Sequence, residues 1–413
     1  MNAHLRDWEP AYANRAARMQ GSEIRELLKL LDRPEVISFA GGIPDPAMFP
    51  REAAARASAA VLADPQLAAQ ALQYSVSEGY PPLRQWIVRH MRSRGVECAE
   101  DNIVITSGSQ QALDFLGRLL LSPGDTALVT WPTYLGALQA FNAYEPRYEP
   151  LQPVTGNRTA ASYADAAASA VAGGRVKFAY AVPDFANPTG ETMDIAARRR
   201  LLELAAELDA PLIEDAAYAA LRYDGAEVPA LLALDVARSG HIDAARTIYC
   251  GTFSKTISPG LRIGWICAAR PIVRRLVLIK QASDLNSPQL NQIIMHRLAE
   301  EAFDDCVQRA RAHYRGKRDR MLAALRRYMP EGVCWTRPAG GLFTWLTLPD
   351  GLDTSVLLNR AVAEAMAAYV PGGAFFPDGT GRNCLRLSFS LASDADIDTG
   401  IGRLAGLFQG AAG

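Results

Sequence analysis

Five short strings in this chain carry side chains that could act together chemically. The first is Gly251-Thr252-Phe253-Ser254-Lys255-Thr256-Ile257-Ser258-Pro259-Gly260-Leu261-Arg262-Ile263-Gly264-Trp265. Lys255 follows directly on an apolar run, where an ammonium is badly placed to reach water. Such an amine is either paired or functional, and a partly neutral one can attack a carbonyl carbon to form a Schiff base. The Gly-Lys step of a P-loop is missing, and Arg262, seven residues on, is available to a phosphate. A lone Ser-x-Lys would read as a surface lysine at a turn; the whole string does not. The second string is Pro211-Leu212-Ile213-Glu214-Asp215-Ala216-Ala217-Tyr218. An aspartate ending an apolar strand is unfavourable unless a cation meets it, as a protonated pyridine nitrogen would; otherwise Asp215 caps the next turn. In Thr106-Ser107-Gly108-Ser109-Gln110-Gln111, small residues open a helix whose free N–H groups suit a phosphate, or else Ser107 or Ser109 is a plain N-cap. Asn187-Pro188-Thr189-Gly190 is a turn that would hold the Asn187 amide out to a ligand. Trp131-Pro132-Thr133-Tyr134 supplies either core aromatics or a ring to stack on a flat cofactor.

These strings matter together only if the fold brings them together. Ile103-Val104-Ile105 precedes a helical pattern with Ala112, Phe115, Leu116, Leu119 and Leu120 on one face. Apolar runs recur at Ala127–Val129, Lys177–Val182, Pro211–Ile213 and Thr247–Cys250, with helical stretches such as Ile195–Leu208 between them. That rhythm predicts an α/β domain with a mainly parallel sheet covered on both faces. In such sheets ligands bind beyond the carboxyl ends of the strands, which is where the five strings fall. From Ser287 to Tyr328 the pattern is one long helix ending before Pro330. Strands at Gly340–Leu346 and Cys384–Phe389, with a helix over Val356–Ala368, then predict a smaller α+β domain. The expected division is a large domain over 46–290 and a small one over 1–45 and 291–413.

Composition narrows the function classes. In 413 residues, 43 Lys+Arg face 44 Asp+Glu, so no excess of positive charge draws the chain to nucleic acid or an acidic membrane. With 49% hydrophobic residues there is ample side chain to bury a core. The N-terminal residues lack the apolar stretch of a secretory signal, and no run approaches the length of a membrane span. Six scattered cysteines without a C-x-x-C pair read as reduced thiols in a cytoplasmic protein, and no metal site is expected.

In their order, Ser-Gly-Ser-Gln, Pro-Thr-Tyr-x-Gly, Asn-Pro-Thr-Gly, Asp-x-x-Tyr, Thr252-Phe253-Ser254-Lys255 (close to Ser-x-Ser-Lys) with Arg262 seven later, and Arg386-Leu387-Ser388-Phe389 form a pattern. It resembles the class I/II aminotransferases of fold type I, which use pyridoxal 5′-phosphate (PLP), and it covers essentially the whole chain. Gly21-Ser22-Glu23-Ile24-Arg25-Glu26-Leu27-Leu28 and Ser38-Phe39-Ala40-Gly41-Gly42-Ile43-Pro44 look most like the 2-aminoadipate and kynurenine aminotransferase group. The resemblance implies a mainly parallel seven-stranded sheet and a role for each residue. Lys255 forms the Schiff base and then moves a proton between the substrate Cα and the cofactor. Asp215 keeps the pyridine ring protonated. Tyr218 and Asn187 hydrogen-bond the ring oxygen, and Tyr134 stacks on the ring face. Ser109, Gln110, Thr252, Ser254 and Arg262 hold the phosphate, joined by Tyr74 from a neighbouring subunit, which implies a homodimer with shared active sites. Arg386 clamps the substrate carboxylate as a bidentate pair; its bland alternative is an edge-strand arginine facing solvent.

On the substrate side the resemblance adds Gly42, and it makes Arg25, helped by Ser22, the expected reader of a distal carboxylate in glutamate, 2-oxoglutarate or 2-aminoadipate. The competing view of Arg25 is a solvated arginine on an amphipathic helix. Pro183-Asp184-Phe185-Ala186 departs from relatives that often carry glutamine beside the asparagine. The expected activity is transfer of an amino group from a 2-aminoadipate, aliphatic or aromatic L-amino acid to a 2-oxo acid, 2-oxoglutarate foremost. A PLP-dependent lyase or decarboxylase could keep every cofactor residue and is the alternative. A regulator fused to a helix-turn-helix is disfavoured, because only about forty residues precede the cofactor domain. A nicotinamide dehydrogenase is disfavoured because no G-x-G-x-x-G follows a strand.

Overall fold

The computed structural model describes residues 7–19, 21, 35–171 and 173–412. Among them, β1 (Ile37–Ser38) stands before the main sheet, which is built from β2 (Ile103–Thr106), β3 (Thr126–Thr130), β4 (Arg147–Leu151), β5 (Val176–Ala181), β6 (Leu212–Asp215), β7 (Thr247–Thr252) and β8 (Gly264–Cys267). Their order across the sheet is β2-β8-β7-β6-β5-β3-β4. β7, β6, β5, β3 and β4 run parallel, whereas β8 is antiparallel to both β7 and β2.

The strand sequences explain the layering. Val129, Phe178, Tyr180 and Ile213 share one core with Leu113, Leu116 and Phe141 from the helices Ser109–Leu120 and Leu135–Asn142. Their neighbours Leu128, Ala179 and Leu212 turn to the other face, against Tyr163 and Leu201 of the helices Ala160–Ala170 and Ile195–Glu207. Alternate side chains of one strand therefore feed two cores, as strands covered on both faces must.

A second sheet follows: β9 (Cys334–Trp335), β10 (Phe343–Thr347), β12 (Val370–Pro371) and β13 (Cys384–Ser388), antiparallel in the order β12-β13-β10-β9. β11 (Ala367–Ala368) pairs in parallel with β1 and so ties the residues before the main sheet to those after it. The helix Gln289–Tyr328, 40 residues and so about 60 Å long, joins the two regions. Its Ile293, Met295 and Leu298 lie in the core that holds Ile103 and Ile105, while Tyr314, Met321 and Leu325 pack with Leu385 and Leu387.

Three elements differ from the sequence expectation. The helix expected to run to Ala368 spans Thr354–Ala363. Met366 takes φ +47°, a left-handed turn, and Ala367-Ala368 become a strand by pairing with Ile37-Ser38. β4 is an edge strand, half exposed and containing Pro150, so it lacks the apolar run that marks interior strands. β8 begins inside the Lys255 string, so its first two residues, Gly264 and Trp265, read as part of a motif. No helix among the described residues is long and apolar enough to cross a membrane.

Candidate active site

β2, β3, β5, β6 and β7 all end at one edge of the main sheet, and each delivers one of the five strings. After β2 the chain turns through Gly108 at φ +81° and enters the helix Ser109–Leu120. A Cβ on Gly108 would meet Arg262 Nη2 at 2.5 Å, and one on Gly264 would meet Gly108 C and Ser109 N at 2.8 Å. The turn is thus pressed against the start of β8, with the exposed Arg262 lying across it and donating to Ser107 O at 3.2 Å. Beside it, Thr252 Oγ1 bonds Ser254 Oγ at 2.9 Å and accepts from Ser254 N at 3.1 Å. Helix-start N–H groups, two hydroxyls and a guanidinium form an anion cup.

Next to the cup, Tyr134 OH meets Gln110 Oε1 at 3.5 Å, and Gln110 Nε2 donates to Gly136 O at 2.7 Å. Burial, and after it the nearby Asp215, pushes the Tyr134 hydroxyl up to about 12. Asp215, at the end of β6, is 3% exposed. Tyr180 OH donates to its Oδ2 at 2.8 Å and Ala217 N to its Oδ1 at 3.3 Å. Among the described residues it has no ion pair, and burial raises its carboxyl to about 6, against the pull of Tyr180, Ala217 and Lys255.

Lys255 Nζ donates to Gly42 O at 2.9 Å and lies 5.7 Å from the centre of the Tyr218 ring. Burial, followed by the positive charges of Arg386 and Arg262, lowers this amine to about 8, with Asp215 opposing. The Tyr218 hydroxyl is driven well above its ordinary range by burial, with the Asn187 side chain acting in the other direction.

Arg386 sits on β13, which lies between β12 and β10, so it is not on an edge strand. It is 1% exposed. Nη1 donates to Asn187 Oδ1 at 2.8 Å and Nη2 to Ala40 O at 2.6 Å, while Nε has no partner among the described residues. The rings of Phe343 and Phe375 flank the guanidinium at 4.3 and 5.2 Å. No carboxylate pairs with it among the described residues, and burial pulls it down to about 10. The loop carrying Asn187 is braced from behind: Asp184 Oδ1 accepts from Arg198 at 2.7 Å and from Arg222 at 2.9 Å.

The structure therefore brings together Ser109, Gln110, Tyr134, Asn187, Asp215, Tyr218, Thr252, Ser254, Lys255, Arg262, Arg386 and Gly42. Tyr74 is instead 80% exposed, beside Leu72 and Val76, which are also exposed. Ser22 and Arg25 lie outside the described residues. Sequence reasoning missed Tyr180, Phe343 and the Ala40 carbonyl. Tyr180 was within reach: it pairs with Ile213 across the sheet, two residues before Asp215, so both side chains leave the same face.

The residues suit the cofactor expected from the sequence. The anion cup fits a phosphate. The buried, unpaired carboxylate of Asp215 fits a cationic ring nitrogen, and Lys255 offers an amine close to its neutral form. The orphaned Nε of Arg386 leaves donor capacity for an anion. Among the described residues no group of three His, Cys, Asp or Glu side chains could hold a metal ion.

Residues 34–404 match the model of a family described as "Aminotransferase class I and II". The chain is 42% identical over 409 residues to aromatic-amino-acid aminotransferase 1 of Thermococcus litoralis, covering 98% of this chain and 95% of that one. It is 41% identical over 403 residues to 2-aminoadipate transaminase of Thermus thermophilus, covering 98% of each. Its fold superposes on a Pyrococcus horikoshii kynurenine aminotransferase, solved with PMP and with kynurenine as substrate, at a TM-score of 0.89, 40% identity and 99% coverage of both chains.

Proposed function

The chain belongs to the class I and II aminotransferases, and on that premise we propose that it moves the amino group of a 2-aminoadipate, aliphatic or aromatic L-amino acid to a 2-oxo acid, 2-oxoglutarate foremost. It is a transaminase, and its cofactor is PLP. When bound, PLP supplies an aldehyde that the Lys255 amine can engage as a Schiff base and an electron-withdrawing ring that stabilises negative charge at the substrate Cα.

The chain's own residues define the rest. One observation carries the reading: a buried arginine with no acidic partner among the described residues stands near a half-buried lysine, whose amine is lowered by desolvation and then by that arginine's charge. Arg386 receives the α-carboxylate and fixes the amino acid, so the orientation of the Cα–H bond follows from the guanidinium plane. Asn187 and the two phenyl rings hold that plane. Lys255, near neutrality at about 8, takes and returns the Cα proton, and the Gly42 carbonyl keeps Nζ in place. Asp215 holds a proton on the ring nitrogen, and Tyr218 donates to the ring oxygen.

Several finer parts belong to the same proposal. Relatives named for aromatic and 2-aminoadipate substrates support a broad donor range. Arg25 and Ser22 are assigned the distal carboxylate; if Arg25→Ala left KM for 2-oxoglutarate unchanged, that assignment would fall. The exposed Leu62, Leu72, Tyr74 and Val76 support a second copy packed on this face, with Tyr74 reaching the neighbour's phosphate. Six unpaired cysteines, five of them buried, suit a cytoplasmic setting.

The direct test is borohydride reduction of the yellow holoenzyme followed by peptide mapping, expected to place the label on Lys255. A donor panel of 2-aminoadipate, leucine, phenylalanine and kynurenine with 2-oxoglutarate should yield glutamate. Ammonia with pyruvate, or CO₂, in its place would identify a lyase or a decarboxylase.

A further inference from the structure

Beneath the anion cup lies a buried lysine that the proposed chemistry does not use. Lys280, in the last turn of the helix Arg270–Gln281, has a fully buried side chain. Its Nζ donates to Asp284 Oδ1 and Oδ2 at 3.0 and 2.9 Å, to Ser287 Oγ at 3.0 Å and to Gln111 Oε1 at 3.2 Å. Gln111 passes the connection on: the same Oε1 accepts from Ser107 N at 2.8 Å, and its Nε2 donates to Asp284 Oδ2 at 2.8 Å. Ser107 Oγ adds a contact to Ser287 Oγ at 3.2 Å, and Ser107 O accepts from Arg262.

The network is closed at its far side. Asp284 N and Leu285 N both bond Lys280 O, at 3.1 and 2.9 Å, and Gln292 Nε2 donates to Ser287 O at 2.8 Å. The loop over 282–288 is therefore stapled to the turn that opens the anion cup, with Lys280 at the centre.

A buried ion pair is a weak source of stability, since apolar residues of similar shape can replace one without loss. Its effect here is geometric. The Ser107 N–H and the Gln111 amide are both used on the underside of the turn. The N–H groups and hydroxyl left over at Ser109 and Gln110 are then the ones free to meet an anion above it, and Arg262 is anchored through Ser107 O.

We infer that Lys280, acting through Asp284 and Gln111, is the positioning residue of the phosphate cup: it sets the Ser107–Gln110 turn in the shape that grips the phosphate of the cofactor. This rests on the PLP reading above and concerns one end of that ligand only. Two probes that differ by the phosphate separate positioning from general weakening. The full-length chain, stripped of cofactor, is titrated with PLP and with pyridoxal. Lys280→Met is expected to raise Kd for PLP about tenfold and to leave Kd for pyridoxal unaltered. Lys280→Met/Asp284→Asn removes both charges, so no unpaired carboxylate threatens folding, and it should show the same selective loss. Equal weakening of both ligands, or PLP affinity equal to that of the unsubstituted chain in the double variant, would overturn the inference. A failure of the unsubstituted chain to prefer PLP over pyridoxal would instead overturn the cofactor reading, and this inference with it.

Discussion

Under the proposed function the site meets negative charge at two ends, a phosphate end and a carboxylate end, and the two are built differently. At the phosphate end the donors are backbone N–H groups and hydroxyls on a tight glycine turn, and Arg262 lies exposed across them. At the carboxylate end a single arginine is 1% exposed, held by Asn187 and Ala40 and pressed between Phe343 and Phe375. A group that must stay bound through every turnover suits many modest donors that need no rearrangement. A substrate that comes and goes suits one desolvated charge, strong because little water competes with it. The same desolvation brings the Arg386 charge to bear on Lys255, ahead of Arg262.

That contrast can be broken by exchange of roles. Arg386→Ala should lower kcat/KM for every amino donor about a thousandfold at saturating PLP and leave Kd for PLP nearly unchanged, as steady-state kinetics and cofactor titration would show. Arg262→Ala should do the reverse, raising Kd for PLP between about ten- and a hundredfold, with an effect that shrinks at high salt because the group is exposed. If Arg262→Ala collapsed kcat/KM with PLP affinity intact, the division of labour would be wrong.

Two smaller effects sharpen it. Tyr180 lowers the Asp215 carboxyl by donating to Oδ2. Tyr180→Phe removes that bond, so the Asp215 pKa should rise further above about 6, and kcat should fall about tenfold, most at the acid side of the pH profile. Phosphate binding, at the other end, should not respond. The smallest effect is on the amine. Lys255 captures PLP only when neutral, so the capture rate in the cofactor-free chain should drop as pH falls through about 8. Removing a neighbouring cation lets the ammonium persist to higher pH. Arg386→Gln should therefore move that midpoint upward, and by more than Arg262→Gln, since Arg386 acts on the amine first. Stability follows the same sign. Between about 8 and 10.5 the unfolded chain holds a proton that the folded one has released, so the cofactor-free fold gains stability as pH rises through that window.

What could be read in advance divides along the same line. The phosphate end is written in consecutive residues: Thr106–Gln111 and Thr252–Arg262 each carry a strand end, a turn and donors within one string. The carboxylate end is assembled from afar. Phe343 and Phe375 reach Arg386 because β10 pairs with β13 and a short turn precedes β13, and no local pattern announces that. Gln110 and Gln111 look interchangeable in the sequence. The helix start turns one toward Tyr134 and the other toward Lys280, a difference of about 100° around the axis. The misplaced end of the helix near Ala368 has the same origin, because a two-residue strand exists only through its partner at Ile37–Ser38.

By itself, then, the sequence determined the chemistry on offer, the alternation of strands and helices, and the edge at which the strings emerge. Those depend on residue type and on separations of a few positions along one chain segment. Only the tertiary structure decided that Arg386 is interior, that Asp215 and Lys255 are shifted toward neutrality, and that Lys280 is bonded through Gln111 to the turn at Ser107. Burial and the charge shifts that follow from it depend on which distant segments close over a group, and that is a property of the packed fold.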